Sequence, residues 1–441
     1  MKEFMMANEQ DQYRKARHEK AEKLREHGID PFGIPFDVTS SVAEARQLAA
    51  PFDEEAESQP RSEQEVRLAG RLGNFRKAGG KLVFATLYDR SRADLFLQQR
   101  AEHADADLLT AEYKKDRGIQ LYLERSLLGE DLWPAVKGGL NLADWIGVVG
   151  HVGRTKTGEI TLFANDVQVL GKAMLPPPQQ AGASSGVLAP ETRQRQRYLD
   201  LMMNDESLAT FVARSRIVAS LRRFFTGKDY LEVETPMMHP VLGGASARPF
   251  VTHHNALDSD LYLRIAPELY LKRLIVAGMD RVFELNRNFR NEGISLRHNP
   301  EFTMVEWYEA YSNHERMMDL TESLFKHIAD EVLGTRILKW RGLTVDLDQP
   351  FRRLSYMQAM KELGGIDYDD KEAVTAKACE LGLDPDDFAT YDRLANEVWE
   401  EIVEPHLDQP TFITDQPTWL TPLCRVHPDN PDLTMRFELF I

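Results

Sequence analysis

The chain has 441 residues, of which 42% are hydrophobic, and carries a formal net charge of −16. This length suggests about two to three domains with large cores, and the acidic balance argues against a protein that coats nucleic acid with its whole surface. No apolar run is long enough to span a bilayer, and the start lacks the apolar core of a signal peptide. The two cysteines, Cys379 and Cys424, form no CxxC pair and are too few for a disulfide framework or a cysteine metal site. A cytoplasmic enzyme is therefore predicted.

Basic residues are concentrated near the start of the chain. From Tyr13 to Gly28, six Lys or Arg accompany three Glu, which predicts a basic helix within an N-terminal extension over residues 1–60. Such a helix can bind nucleic acid locally in an otherwise acidic protein. A solvated amphipathic helix explains the same pattern equally well.

The segment 61–172 has the pattern of short strands separated by turn residues. Strands are predicted at 65–72, 81–90, 93–99, 144–155 and 159–170, with a helical insert around 104–117. This spacing favours a small Greek-key β-barrel of the oligonucleotide-binding (OB) type, in which bases stack on aromatic side chains beside cations. Phe84 and Phe96 are candidates for such stacking, although an inward-facing core position explains each of them at least as well.

Three consecutive prolines and a run of small residues predict a linker at 173–192. Beyond it, apolar residues recur at spacings of three and four after Asn204 and Asp205, which predicts a helix that ends at Gly227. A strand, LEVET, then ends at Pro236.

The loop LGGASARPF contains Gly243 and Gly244, which allow a ligand to approach the backbone closely. Glu268 follows in the first turn of a further predicted helix. Stabilisation of the helix start explains this glutamate as well as a binding role does.

Residues 281–311 predict two strands that flank an unusually charged loop, with Arg290, Glu292, Arg297 and His298. In the second strand, side chains alternate between faces, so one face carries a set of polar and aromatic groups, Phe302, Met304, Glu306 and Tyr308. Arginine binds phosphate through its planar fork, and an aromatic ring gives a purine a stacking surface. The pattern suits a polyphosphate and a base, and an exposed hairpin with ion pairs explains it equally well.

Several long stretches match a known family in order. They are RQRYLDLM (195–202), YLEVETPMMHPVLGGASARPFVTHHNALD (230–258), LYLRIAPELYLKRL (261–274) and the segment 281–311. Over nearly all of residues 10–441 the chain closely resembles bacterial-type class II lysyl-tRNA synthetases, the lysine–tRNA ligases. The stretch 206–236 resembles class II motif 1, a helix and strand at the dimer interface that ends at Pro236. Residues 281–311 resemble motif 2.

The resemblance implies an α+β chain with an OB-type barrel of five strands at 61–172 that binds the tRNA anticodon. It implies a class II catalytic domain at 193–441, an antiparallel sheet flanked by helices with a helical insertion at about 312–410. The implied reaction joins L-lysine and ATP into lysyl-adenylate and transfers lysine to the 3′ end of lysine tRNA. The implied assembly is a homodimer, with no membrane partner.

The resemblance also assigns roles to individual residues. Arg290 would be catalytic, holding the α-phosphate, and the other ATP contacts would come from Glu292, His298 and Phe302. Lysine would lie among Gly244, Glu268, Glu306 and Tyr308, and the anticodon would contact Arg76 and Phe84.

Three departures from the family pattern are expected to affect function. Where relatives resemble DRSGRIQLYV, the chain reads DRSRADLFLQ, which places Asp94 at the usual glutamine and predicts altered anticodon binding. Trp419 replaces an expected acid. The chain stops at Ile441, before the segment that carries the Mg²⁺-binding acids and motif 3 in relatives, so we expect the last part of the catalytic sheet to be missing. A catalytically inactive remnant that retains tRNA binding or dimerisation is the alternative function.

Overall fold

The computed structural model describes residues 2–33, 35–52, 61–102, 111–177, 189–295, 298–340 and 342–441. The chain divides into two compact units, Met1–Arg214 and Ser215–Ile441. Within the described ranges, no helix combines the length and apolar character that a membrane crossing requires. Most of the predicted linker lies outside the described residues, and the proposed domain limits stay predictions.

The first unit contains the helices α1 (Lys2–Glu26), α2 (Val42–Ala49), α3 (Ser91–Glu102), α4 (Ala111–Asp116), α5 (Arg125–Gly139), α6 (Pro190–Arg195) and α7 (Arg197–Met203), and α8 (Asp205–Thr226) continues into the second unit. Helix α1 confirms the helix predicted from the basic stretch. Helix α8 confirms the helix predicted after Asn204.

Five strands of the first unit form a closed barrel in the order β1-β2-β3-β5-β4. They are β1 (Arg61–Ala78), β2 (Leu82–Tyr88), β3 (Ile119–Glu124), β4 (Trp145–Arg154) and β5 (Ile160–Gly171). Alternate residues along β2, such as Val83 and Ala85, are buried in the barrel core. A Cβ at Gly150 would lie 2.1 Å from the Phe163 carbonyl oxygen, so glycine permits the close approach of β4 and β5 there.

The strand predicted at 93–99 is wrong, because these residues lie in helix α3. The apolar side chains Ala93 and Phe96 are three residues apart and pack together with Tyr113 and Ala209, a spacing that fits one face of a helix. The third barrel strand is instead β3. The predicted helical insert is present in part as α4, and residues 103–110 lie outside the described ranges.

The position of β3 also corrects the expectation for Asp94. Strand β3 begins with IQLYL, which matches the end of the pattern DRSGRIQLYV, so Gln120 occupies the position of the usual glutamine. Asp94 lies in the first turn of α3, where a carboxylate stabilises the helix start. The chain therefore has an insertion between β2 and β3 that carries α3 and α4, and Asp94 lies in this insertion, outside the barrel strands.

The second unit contains a set of short sheets with helices between them. Its elements are β6 (Leu231–Glu232), β7 (Met238–His239), β8 (Val251–His254), β9 (Ser259–Leu263), α9 (Glu268–Val276), β10 (Arg281–Phe289), β11 (Glu301–Glu309), α10 (His314–Ile328), β12 (Ile337–Trp340), β13 (Leu343–Asp346), β14 (Arg352–Ser355), α11 (Tyr356–Glu362), α12 (Lys371–Glu380), α13 (Tyr391–Ile402), β15 (Thr411–Thr414) and β16 (Phe437–Phe440).

The described strands of this unit pair in the orders β11-β10-β6, β7-β9-β8, β12-β13 and β14-β15-β16. Two pairs, β6–β10 and β14–β15, are parallel, so the expected antiparallel sheet is mixed. Helices α10 to α13 lie in the predicted insertion at 312–410, together with the short strands β12 to β14.

The β10–β11 hairpin is fixed from one side by an aromatic core. Phe283 and Trp307 face each other across the two strands. Both pack on Phe225 of α8, with ring centroids 4.9 Å apart for Phe225 and Phe283 and 5.1 Å apart for Phe225 and Trp307. Burying one face in this way sets the strand register.

Candidate functional site

The face of the β10–β11 hairpin opposite the aromatic core carries the polar groups predicted for it. Glu284 lies opposite Glu306, and Asn288 lies opposite Phe302. Directly opposed residues of an antiparallel pair share a face. The alternation predicted from the sequence is therefore confirmed, and the hairpin adds Glu284 and Asn288 to the predicted set.

Arg290 and Phe302 form one end of this face. The Arg290 guanidinium lies 5.3 Å from the centroid of the Phe302 ring, and the Arg290 amide donates to the Pro300 carbonyl at 2.9 Å, which closes the loop. The Arg290 Nε is buried and has no hydrogen-bond partner among the described residues. Leaving a buried charged donor unpaired is costly, so this corner suits an anionic oxygen above an aromatic ring.

The loop between the strands is tied to the segment before β8. Glu292 Oε1 accepts from the Arg248 amide at 3.3 Å, and the Asn291 amide donates to the Arg248 carbonyl at 2.8 Å. His298 is exposed, and its Nδ1 lies 2.8 Å from Ser295 Oγ. Arg297 lies outside the described residues.

A group of carboxylates lies toward the other end of the face. Burial raises the pKa of Glu306, and the neighbouring Glu268 and Glu284 raise it further, against the hydrogen bond from Tyr308 and the charge of Arg264. The Tyr308 hydroxyl donates to Glu306 Oε2 at 3.2 Å. The described carboxylates of this group outnumber the cations that pair with them. A cationic ligand would therefore stabilise the ionised form of Glu306.

Arg264 and Glu284 form a buried ion pair beneath this group. Their closest atoms, Nη1 and Oε1, are 2.6 Å apart, and both side chains are 1% exposed. Thr235 Oγ1 donates to Glu284 at 2.6 Å, and Arg264 Nε donates to the Arg287 carbonyl at 2.9 Å. Sequence reasoning missed this pair. The available signal was the arginine inside the apolar run LYLRIA (261–266).

Gly244 and Glu268 meet where a loop approaches helix α9. Gly244 has a φ of +88°, and a Cβ there would lie 2.9 Å from the Glu268 Cβ. A glycine is therefore required for this approach. Glu268 Oε1 accepts from Lys272 Nζ at 2.5 Å, one helical turn later. The structure thus brings together the four residues assigned to lysine, Gly244, Glu268, Glu306 and Tyr308.

Side chains that bind metals are not clustered in the described part of the chain. The described residues contain no group of three or more His, Cys, Asp or Glu side chains arranged to hold a metal ion. Of the hairpin carboxylates, Glu284 pairs with Arg264 and Glu306 accepts from the Tyr308 hydroxyl. Glu268, which lies in α9, pairs with Lys272.

In the barrel, Arg76 and Phe84 lie opposite each other on β1 and β2. The Arg76 guanidinium is 5.2 Å from the Phe84 centroid, and Phe84 meets Tyr122 edge to face at 5.6 Å. Phe84 is half-buried and alternates with the core residues Val83 and Ala85, so it lies on the outer face. The sequence missed Tyr122 because β3 was placed at the wrong residues.

Phe96, the other stacking candidate, is buried in helix α3. Its ring meets Tyr113 edge to face, with centroids 5.6 Å apart. The core alternative is therefore correct for Phe96.

Pro236 and Trp419 complete the predicted set. Pro236 is exposed, and its carbonyl accepts from His239 Nε2 at 2.8 Å. Trp419 Nε1 donates to the Tyr368 hydroxyl at 3.3 Å. Trp419 thus contacts the segment that precedes helix α12, and no contact joins it to the hairpin carboxylates among the described residues.

Comparison with known proteins places this site in a family. A model of the family "tRNA synthetases class II (D, K and N)" matches residues 189–441. The chain is 43% identical over 430 residues to the lysine–tRNA ligase of Carboxydothermus hydrogenoformans, an alignment that covers 97% of this chain and 80% of that protein. It is 44% identical over 432 residues to the lysine–tRNA ligase of Pasteurella multocida, covering 96% and 80%.

A third relative gives the same result. The lysine–tRNA ligase of Staphylococcus aureus is 41% identical over 440 residues, an alignment that covers 99% of this chain and 83% of that protein. Identity at this level over nearly the whole chain covers the hairpin, helix α9 and the barrel together. The chain belongs to the lysine–tRNA ligase family of class II tRNA synthetases.

Proposed function

We propose that the chain attaches L-lysine to the 3′ end of lysine tRNA in two steps that consume ATP. In the first step a lysine carboxylate oxygen attacks the α-phosphorus of ATP, and pyrophosphate leaves with the electron pair of the broken P–O bond. In the second step a ribose hydroxyl of the tRNA attacks the lysyl carbonyl carbon, and AMP leaves. The observation that carries this proposal is the single hairpin face on which Arg290 and Phe302 lie beside Glu306.

Arg290 is the residue that we assign to the transition state of the first step. Negative charge increases on the α-phosphate oxygens as the fifth bond to phosphorus forms, and a fixed guanidinium stabilises that charge. The buried Arg290 Nε, which lacks an acceptor, supports this assignment. Phe302 would stack on adenine, Glu292 would contact the nucleotide, and His298 would reach the outer phosphates.

Glu268 and Glu306 would select lysine through its ammonium groups. A desolvated ammonium needs a carboxylate partner, because leaving it unpaired costs several kcal/mol. The raised pKa of Glu306 supports this role, since a cation beside it relieves the repulsion from Glu268 and Glu284. Arg264 neutralises Glu284 and Lys272 pairs with Glu268. Among the described residues this leaves Glu306 as the acid with the least cationic compensation. Tyr308 would orient Glu306, and Gly244 would admit the amino acid close to the backbone.

The closed barrel would bind the anticodon as an OB-type domain. Arg76, Phe84 and Tyr122 present a cation and two rings on its outer face, the combination on which single-stranded bases stack. We expect such an enzyme to act in the cytoplasm, where it meets lysine tRNA.

A homodimer would form through the region around Pro236. Large apolar side chains that are more than half exposed recur there, at Leu231 (55%), Met238 (53%), Val241 (73%) and Val251 (59%). Large exposed apolar side chains concentrated in one segment support an interaction surface there.

Lysine-dependent exchange of pyrophosphate into ATP tests the first step directly. We expect exchange with lysine and none with arginine or ornithine at the same concentration. Exchange with another amino acid and not with lysine would refute the assignment of specificity. If the chain captures lysine tRNA and supports neither exchange nor aminoacylation, the alternative of an inactive tRNA-binding remnant replaces this proposal.

A further inference from the structure

A cavity of about 490 Å³ lies in the first unit, outside all the sites proposed above. Four arginines contribute to its lining, Arg71, Arg90, Arg92 and Arg117. We name it the arginine cavity. Its volume falls in the range of roughly 300–1,000 Å³ that is typical of small-ligand pockets.

Two of these arginines are held by one buried acid. Arg92 Nη1 lies 3.0 Å from Asp205 Oδ1, and Arg117 Nη1 donates to Asp205 Oδ2 at 2.8 Å. The carboxylate in the lining itself, Asp89, accepts from the Ser91 amide at 2.9 Å. One carboxylate between two guanidiniums leaves a net positive charge on this wall.

Arg71 differs from Arg92 and Arg117 in its partners. It is half-buried, its Nη1 donates to the Ala143 carbonyl at 2.8 Å, and no described residue forms an ion pair with it. Burial lowers the pKa of Arg71, and the charge of Arg92 lowers it further, partly opposed by Asp144. A guanidinium withdrawn from water without a counter-ion is unfavourable. An anionic ligand in the cavity would supply the missing partner.

Aromatic rings lie beside these cations. The Arg71 guanidinium is 4.7 Å from the Trp145 ring, which is 43% exposed. Tyr198 also contributes to the lining and is 69% exposed. Exposed rings next to arginines form the surface on which proteins stack nucleic-acid bases.

The cavity depends on the insertion between β2 and β3. Arg92 lies in α3, and Arg117 lies just after α4. Arg117 is 5.0 Å from the ring of Tyr88, and a Cβ at Gly73 or Gly118 would lie 2.1 or 2.6 Å from that ring. The two glycines therefore make room for Tyr88 in the wall of the cavity.

We propose that the arginine cavity binds a nucleotide, with its phosphate paired to Arg71 and its base stacked on the exposed rings of Trp145 and Tyr198. The nucleotide is either free or one residue of an RNA strand. Both sources present the same pairing of an anion with a planar ring, and the experiment below distinguishes them.

Photo-crosslinking of the full chain with 8-azido-AMP, followed by mass spectrometry of tryptic peptides, tests the proposal. We expect label on residues 138–154, which contain Trp145, or on residues 198–214, which begin at Tyr198, and competition by unlabelled AMP. Label on 281–311 would report the hairpin site separately, so the two sites are read independently in one sample. The same measurement with an RNA oligonucleotide that contains 8-azidoadenosine forms the second arm.

Arg71→Gln should reduce labelling of the two cavity peptides about tenfold or more, because a charge-assisted hydrogen bond is lost. Arg71→Lys should retain part of it. Arg100→Gln removes an exposed arginine from α3 and should label like the unaltered chain. Labelling by 8-azido-AMP identifies a free nucleotide as the ligand. Labelling by the RNA oligonucleotide and not by 8-azido-AMP identifies a nucleotide of an RNA strand.

No label on either cavity peptide from AMP or RNA would overturn the proposal. Undiminished labelling of Arg71→Gln would overturn it as well. Competition by AMP is measured on the unaltered chain, so the proposal can still be refuted if Arg71→Gln lowers stability.

Discussion

Glu284 and Glu306 are like charges directly opposite each other in an antiparallel pair, an arrangement that destabilises a sheet. The buried Arg264 offsets the charge of Glu284, and among the described residues the charge of Glu306 is stabilised by the Tyr308 hydroxyl and the more distant Arg264. Burial raises the pKa of Glu306, and the residual negative charge around it raises this pKa further. Under the proposed function this charge is the part of the site that attracts lysine, whereas Arg290 at the other end of the same face attracts ATP.

Replacing Arg290 should remove stabilisation that exists mainly in the transition state. We expect Arg290→Gln to lower kcat/KM of lysine-dependent ATP–pyrophosphate exchange by about 10²–10³-fold, the cost of losing one preorganised donor to a developing anion. Arg287→Gln is the matched control, because Arg287 is exposed and opposes Thr303 on the other face of the hairpin. Equal loss in both variants would mean that Arg290 only supports the hairpin.

As the pH is lowered, lysine binding should begin to weaken at a higher pH than it would beside a glutamate of ordinary pKa. A raised pKa means that Glu306 binds its proton where a free glutamate is still ionised, and a protonated carboxyl does not attract an ammonium group. The KM for lysine in pyrophosphate exchange should therefore rise as the pH falls through the Glu306 pKa and stay low above it.

Two variants isolate this effect. Glu306→Gln should raise the KM at every pH and abolish its dependence on pH in that range. Glu301→Gln, at an exposed position on the same strand, should retain the dependence. A pH profile that is unchanged in Glu306→Gln would assign the titration to another group.

Among the secondary-structure elements, the β10–β11 hairpin and the insertion between β2 and β3 are each held in position by the apolar face that they bury. Strands β10 and β11 bury Phe283 and Trp307 against α8, and the opposite face is left for polar groups. Helix α3 buries Ala93 and Phe96 against Tyr113 and Ala209. The packing of α3 therefore determines whether the insertion, and the arginine cavity with it, keeps its shape.

Truncating Phe96 tests that packing. We expect Phe96→Ala to lower the free energy of unfolding of the first unit by about 3 kcal/mol, through lost burial and the cavity left behind. Urea unfolding followed by far-UV circular dichroism measures this change. Gln98→Ala on the exposed side of the same helix should change the free energy by less than about 0.5 kcal/mol, and a similar loss in both variants would contradict the assigned orientation of α3.

At the scale of the whole molecule, each unit has cores of its own. The barrel unit is built around residues such as Leu68, Leu121 and Val148. The second unit has separate clusters, one around Phe225 and Phe283 and another around Trp399. The exposed apolar residues between 231 and 251 in the second unit belong to none of these clusters, which is why we assign them to a subunit interface.

Placing a charge on that surface should dissociate the proposed homodimer. We expect Leu231→Asp to shift the mass measured by light scattering from the dimer to the monomer, because burying an unpaired carboxylate opposes association. Leu423→Asp is the control, since Leu423 is 99% exposed and lies far along the chain from this surface. A monomeric unaltered chain would refute the dimer, and a dimeric Leu231→Asp would exclude Leu231 from the interface.

Local spacing in the sequence determined the parts of the site that lie on single elements. The alternation of Phe302, Met304, Glu306 and Tyr308 defined one face of β11 because side chains in a strand alternate with a period of two, whatever surrounds it. Glu268 was correctly placed at the start of a helix for a similarly local reason. The lysine–tRNA ligase family was also recognisable from matched stretches of sequence.

Only the tertiary structure decided which short apolar segments became strands and which buried charges became partners. Residues 93–99 are compatible with a strand or a helix, because a short apolar run has too few positions to fix its period. Their contacts with Tyr113 and Ala209 select the helix and move the third barrel strand to β3. Arg264 and Glu284 are 20 residues apart in sequence and meet only because the fold brings the residue after β9 next to β10. For the same reason, only the fold decides that Arg71 forms no ion pair with a described carboxylate.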